Sequence, residues 1–284
     1  MSNILWLSDF TLLEAPGGAQ RSDHILIKKG RELGHSITHI TSSEFSNISN
    51  FNDFDTLITS NIQAIFTQNE GVLQRINEHK KHIRIDHDCC TYFTQQDRIK
   101  LFSNCFKTVF LTKFHHKIFL DKYGDIFHNV EIVPDPIDTD VFCDLGQERS
   151  DSILYVGYQH ELKGTNNFFE LALTHPEKEF VIAGWSSHRI YQFLANRVPN
   201  VKNLGVVTYE QMPTLYNKHK TLYYDPNLQE PFCRVCAEAI CCGMKIFTSK
   251  QNDIGCIHDI YEFGIDKFKE RVKNADKMFW EVIQ

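Results

Sequence analysis

The sequence predicts an α/β protein made of two parallel sheets, each covered by helices on both faces. Three observations carry that expectation. Short, continuously apolar runs alternate with amphipathic stretches along the chain, as buried parallel strands and their crossover helices do. One polar, proline-broken segment, VPDPIDTDVF followed by DLGQERSD, interrupts the alternation near the middle. The length of 284 residues matches about two domains.

In the first half the strand-like runs are Ile4–Ser8, Ser36–Thr41, Thr56–Ser60, His82–Asp86, Thr108–Thr112 and Val130–Pro134. Helical periodicity runs through Gln20–Leu33 and Ile62–His79. The second half repeats the scheme with runs at Ser152–Val156, Glu179–Ala183, Asn200–Leu204, Thr221–Tyr224 and Lys245–Thr248. Its helical patterns include Thr165–Leu173, Tyr209–Asn217 and Arg234–Cys241. No fixed-period repeat is present. The implied domains are about 1–145 and 150–265. The last segment, Asp266–Gln284, reads as one amphipathic helix with Phe268, Val272, Met278, Phe279 and Val282 on or near one face. It is expected to pack back on the first domain.

Composition narrows the function classes. The chain is 42% hydrophobic, with 22 Phe and 10 Tyr, so it can bury a sizeable core and is not a disordered or low-complexity polymer. No apolar run approaches the roughly 18–20 residues of a membrane span. The start, MSNILWLSDF, has no basic stretch and meets acid at Asp9, unlike a signal peptide. Net charge is −6 and neither half is basic, which argues against a nucleic-acid footprint. Nine cysteines form an odd number, and the adjacent pairs Cys89-Cys90 and Cys241-Cys242 suit no disulfide framework. Reduced thiols and a cytoplasmic location are expected.

Open α/β sheets bind ligands beyond the carboxyl ends of their strands, so loops that follow strands and open helices hold the candidate residues. Four stand out. Pro16-Gly17-Gly18-Ala19 precedes a helix whose first N–H groups suit an anion, though it lacks the G-x-G-x-x-G of dinucleotide sites. Gly157 to Gly164 places Lys163 just ahead of a helix, where a phosphate could be met. His87 closes the run HIRID. Glu230-Pro231-Phe232-Cys233-Arg234-Val235-Cys236-Ala237-Glu238 sets one carboxylate in a loop and another about a turn inside a helix. Arg234 there opposes the helix macrodipole, which implies an anion beside it. Taken singly, a plain turn, a solvated lysine, a structural histidine or an exposed arginine accounts for each loop equally well.

In this order, however, the four loops resemble the retaining GT-B glycosyltransferases of glycosyltransferase family 4. GGAQR with RELGHSITHIT is similar to that family's opening glycine loop and second strand, and VEIVPDPIDTDVF to its interdomain segment. ILYVGYQHELKG is similar to its VGR…KG stretch, and EPFCRVCAEAICCG to its E-x7-E motif. The resemblance implies a GT-B fold, two Rossmann-like domains facing across a cleft. It also implies metal-independent transfer of a sugar, with retention, from a nucleotide-sugar donor, most often a UDP-sugar. Lys163 would hold the donor diphosphate, Glu238 the ribose, and Glu230 the donor sugar, with the backbone of Phe232, Cys233 and Arg234 nearby. Gly157 would lie beside the phosphates. His87 would touch the transferred sugar, and Gly17 and Gly18 would admit the phosphates to the first domain.

The sequence departs from the family pattern in three places. Tyr158 stands where an arginine is usual, so the resemblance leaves one phosphate cation to be supplied, a role that falls to Arg234. Cys233 replaces a glycine, and the stretch between Lys250 and Asp266 is short. Trp185, at a turn often rich in glycine, would stack on the base or cap the core. The D-x-D triplets at Asp53, Asp86 and Asp138 and the Cys233-x-x-Cys236 pair do not complete a metal site, and no metal is expected. Two other readings remain: a glycosyltransferase-like protein that binds nucleotide or glycan without turnover, and a viral-type transferase acting on a hydroxymethylated DNA base. The acceptor, whether glycan, small molecule, lipid-linked or a modified base, is not legible, because Ser42–Asn52 and Cys89–Asp97 match no pattern.

Overall fold

The computed structural model describes residues 1–48, 50–89 and 94–283. Ser49 and residues 90–93, within the two segments just named, lie outside the described residues, as does Gln284. Packing divides the chain into unit 1, residues 1–136 with 270–284, and unit 2, residues 137–269.

Every strand-like run of the sequence forms a strand. Unit 1 contains β1 (Asn3–Leu7), β2 (Ser36–Ile40), β3 (Thr56–Thr59), β4 (His82–Ile85), β5 (Lys107–Phe110) and β6 (Val130–Ile132). Unit 2 contains β7 (Ser150–Val156), β8 (Phe180–Ala183), β9 (Val201–Gly205), β10 (His219–Tyr223) and β11 (Lys245–Phe247). The helices of the first half are α1 (Gly18–Glu32), α2 (Gln63–Gln68), α3 (Val72–Asn77), α4 (Gln95–Ser103) and α5 (Lys113–Tyr123). Those that follow are α6 (Thr165–Thr174), α7 (Arg189–Arg197), α8 (Met212–Asn217), α9 (Arg234–Cys241), α10 (Gly255–Phe263), α11 (Ile265–Lys273) and α12 (Ala275–Val282).

Both sheets are wholly parallel, ordered β2-β1-β3-β4-β5-β6 and β11-β10-β7-β8-β9. Continuous apolar strands follow from burial on two faces. Successive side chains of a strand point to opposite faces, so in β1 Ile4 and Trp6 join a core with Leu26, Ile83 and Trp280. Leu5 and Leu7 join a second core with Phe45, Phe51 and Leu101. In unit 2, Ile153 and Tyr155 of β7 pack with Phe168, Phe180, Ile182 and Tyr191.

Two helical stretches are broken where the sequence reads them as continuous. The pattern Ile62–His79 divides into α2 and α3: the first helix stops at Gln68, where Asn69 turns extended, and the second starts after Gly71, which takes a φ of +76°. The C-terminal stretch divides into α11 and α12 at Asn274. That break resets the register, so Trp280 joins the buried face and donates its indole N–H to Leu26 O at 2.9 Å. A periodicity projected through Asn274 misses it. The segment after β6 belongs to unit 2 through both apolar packing, with the buried Phe142 ring against Tyr209 and Tyr216, and polar bonds. Asn217 donates to Cys143 O and accepts from Leu145 N–H, both at 2.9 Å, and Arg149 donates to Cys242 O.

Gly30 of α1 lies flat against the Trp280 ring: a Cβ there would come within 2.0 Å of it. Gly30→Ala should therefore cost about 1–3 kcal/mol by overpacking, read as a lower urea midpoint in tryptophan fluorescence. An unchanged midpoint would mean that α12 is not packed against α1.

Candidate functional site

Strand order determines where the functional loops converge. In unit 2 the chain leaves β7 toward β8 on one side and β10 toward β11 on the other, although β7 and β10 are neighbours. This is a topological switch point, where the two outgoing connections part and leave a crevice at the carboxyl ends of the strands. The loop after β7 carries Gly157 to Gly164, and the loop after β10 carries Tyr224 to Cys233.

These loops touch. Gly164, at φ +78°, has its Cα so close to Asp225 that a Cβ would meet the Asp225 carbonyl oxygen at 2.0 Å. Asn227 N–H donates to Leu162 O at 2.9 Å. The approach delivers Lys163 Nζ to Glu230 Oε1 at 2.6 Å, and the hydroxyl of buried Tyr224 donates to the same oxygen at 2.6 Å. Burial, with the neighbouring Cys233 and Glu230, holds the Tyr224 hydroxyl well above the usual phenol range. It is a constant donor, and it orients the carboxylate that Lys163 meets. Backbone bonds from Glu230 N–H to Asp253 O and from Gly255 N–H to Glu230 O fix the loop from behind.

Arg234 and Glu238 form a second cluster on α9. The anion that Arg234 needs at the start of the helix is the Glu238 carboxylate one turn on, 3.3 Å away, with side-chain exposures of 8% and 6%. Tyr209 donates to the same Glu238 oxygen at 3.2 Å, and Tyr216 OH lies 3.5 Å from the other. Between the two clusters, Phe232 is buried with its ring stacked on Phe268, so only its backbone faces the loop. Cys233 takes φ +72°, a left-handed conformation that explains why glycine suits this position. The first turn of α9 has no bond from a capping side chain and no acidic residue, and a helix N-terminus of this kind attracts anions.

Tyr158 donates to or accepts from Ser187 Oγ at 2.6 Å and packs at 5.3 Å against Trp185. Trp185 is 57% exposed in the loop after β8, so it does not cap the core. Burial, with neighbouring Cys233 and Cys256, pushes the Cys236 thiol up. Among the described residues, no group of three or more His, Cys, Asp or Glu is placed to hold a metal ion.

The remaining candidates belong to unit 1. Gly17 is the N-cap of α1, without a side-chain cap bond, and Gly18 opens the helix. His87 follows β4 and is buried, with Nε2 3.5 Å from Asp23 and Nδ1 3.6 Å from Asp135. Sequence reasoning found Lys163, Glu230, Arg234 and Glu238 but not Tyr224, Tyr209, Asp23 or Asp135, which lie far from them or inside apolar runs. A buried tyrosine hydroxyl needs a partner, so the paired tyrosines of TLYYD were the available signal for Tyr224.

Removing one partner of a buried ion pair leaves the other uncompensated. Arg234→Ala should lower stability by about 3 kcal/mol in urea denaturation, and Arg234→Met with Glu238→Gln should restore most of the loss. Equal stability of the single variant and the native chain would show that the pair is solvated.

No family model and no curated protein matches the sequence. Solved structures match over essentially the whole chain. HepE from Anabaena, in complex with UDP and glucose, is 13% identical with a TM-score of 0.71, covering 100% of this chain and 99% of its own. Sucrose-phosphate synthase from Thermosynechococcus elongatus is 12% identical with a TM-score of 0.73, covering 100% and 96%. An alpha-glucosyltransferase in complex with UDP and a 13-mer DNA containing a central A:G mismatch is 13% identical with a TM-score of 0.61, covering 99% and 96%. Identities this low carry the fold alone, and that fold is the one shared by GT-B glycosyltransferases.

Proposed function

We propose that the protein is a retaining glycosyltransferase that moves a sugar from a nucleotide-diphosphate-sugar, a UDP-sugar first among them, to a hydroxyl acceptor without a metal ion. The observation that carries the reading is the convergence of Lys163, Glu230 and Tyr224 at the switch point of the unit 2 sheet, beside the uncapped start of α9. Departure of a nucleoside diphosphate develops negative charge on its outer phosphate. Fixed cationic and N–H donors stabilise that charge without reorganising.

In this role Lys163 and the N–H groups at the start of α9 bind the diphosphate, and Glu230 accepts from hydroxyls of the donor sugar. An ammonium carries three N–H donors, so holding Glu230 is compatible with meeting a phosphate oxygen. Glu238, aimed by Tyr209 and Tyr216, accepts from the ribose hydroxyls. The exposed Trp185 ring offers the base a stacking surface. The acceptor oxygen attacks the anomeric carbon from the face that the diphosphate leaves. The bond from that carbon to the phosphate oxygen breaks, and the departing phosphate takes the acceptor's proton. The solved structures of similar fold with UDP or UDP-glucose bound support a UDP-sugar as the donor to try first.

Two measurements test this. Titration with UDP, GDP and ADP should raise the unfolding temperature with one of them. A ligand at a hundred times its dissociation constant adds about 2.7 kcal/mol, and Glu238→Gln should abolish that gain. No shift with any nucleotide would leave the binding-only reading, or none. With the donor found, Lys163→Ala should cut turnover at saturating donor by about a hundredfold, and an unchanged rate would remove Lys163 from the site.

A further inference from the structure

Unit 1 contains a buried charge cluster that the transfer reaction as described does not use. Asp23 lies in the second turn of α1, His87 just beyond β4, and Asp135 just beyond β6, and all three are buried. The imidazole sits between the two carboxylates, one facing each ring nitrogen at 3.5 and 3.6 Å. Asp135 Oδ1 also accepts from the Ser22 hydroxyl at 2.6 Å, and that hydroxyl lies 3.2 Å from Gly18 O in the first turn of α1. The neighbouring arginines are engaged elsewhere: Arg84 and Arg98 lie 3.3 and 3.9 Å from Asp86. Neutral His87 would leave Asp23 facing an uncharged ring in a site closed to water, an arrangement that buried carboxylates do not tolerate.

We propose that His87 is a positioning residue: an imidazolium, clamped between Asp23 and Asp135, that fixes the glycine-loop end of α1 against the carboxyl ends of β4 and β6. Both ring nitrogens then point at carboxylates, so the ring is neither a base nor a hydrogen-bond acceptor. Asp23 and Asp135 specify its charge. The charged groups that act on the ring are Asp23 from α1 and Asp135 from the segment after β6, and His115 from α5, itself 3.8 Å from Asp86, lies close enough to feel its charge. Burial alone would lower the His87 pKa, but the two aspartates outweigh it and raise the pKa from 6.5 to about 10. Burial pushes His115 down to about 4, so His115 stays neutral beside it. The ring charge itself does not depend on the transferase reading; only the activity arm of the test does.

Proton NMR of histidine-labelled protein, with His87→Gln to assign the signal, reads the charge directly. The native ring should stay doubly protonated far above 6.5 and titrate only toward about 10. With Asp23→Asn and Asp135→Asn together the midpoint should fall to 6.5 or below. If that double variant does not fold, Asp23→Asn alone should lower the midpoint and leave the Ser22 contact to Asp135. A native ring that titrates near 6.5, or variants with an unmoved midpoint, would overturn the clamp. Stability follows the same charge. Because the folded pKa is raised, the contribution is complete below 6.5 and is lost as pH rises through about 10. The urea midpoint should fall across that window in the native chain and not in His87→Gln. In the activity arm, donor turnover by Asp23→Asn should drop about tenfold as its ring deprotonates, at pH values where the native rate is flat. Identical pH profiles would overturn the positioning role, whereas turnover absent from the native chain would overturn the transferase reading and leave the charge result standing.

Discussion

The contact between Lys163 and Glu230 is the one that unit 2 is arranged to permit. It requires two loops from neighbouring strands to meet at the carboxyl edge of the sheet, and they meet only because Gly164 has no side chain where Asp225 passes. Strand order creates the opening and the left-handed glycine closes the distance. Tyr224 then fixes the carboxylate from below. Side chains held this way lose little entropy when a charged ligand arrives, which is the physical basis of preorganisation.

The same constraint governs the charges elsewhere. Buried ions are tolerated only in company, and each cluster at a strand end contains its own counter-ions. Arg234 answers Glu238, Arg84 and Arg98 answer Asp86, and His87 lies between Asp23 and Asp135. Arg234 shows how this changes a functional expectation. Read as a spare phosphate cation, it is engaged with the glutamate expected to hold the ribose, so any service to a phosphate competes with that pair. Its placement at a helix start, unfavourable by the macrodipole, is explained by its own helix.

The fold was legible because periodicity records burial. The central strands, buried on both faces, appear as unbroken apolar runs, and even the exposed edge strand β9 stands, with the other ten among the described residues, at its expected place. Helix continuity was less legible, because a short break such as 69–71 or a single residue such as Asn274 resets the register while changing the average pattern little. Trp280 was overlooked for that reason. The candidate site was legible in its charged members, since Lys163, Glu230 and Glu238 lie in loops of recognisable spacing. Its tyrosines were hidden inside apolar strands and helices, where a hydroxyl does not disturb the hydrophobic signal.

By itself, then, the sequence determined two parallel sheets, the loops at their carboxyl ends and the charged residues those loops carry, because burial and turn chemistry act over neighbouring residues. Only the tertiary structure decided which charges face one another. Glu230 is 67 residues from Lys163, and Asp135 is 113 from Ser22. No local pattern encodes such pairings; they follow from strand order, from close backbone approach at Gly164, and from the need of every buried charge for a partner.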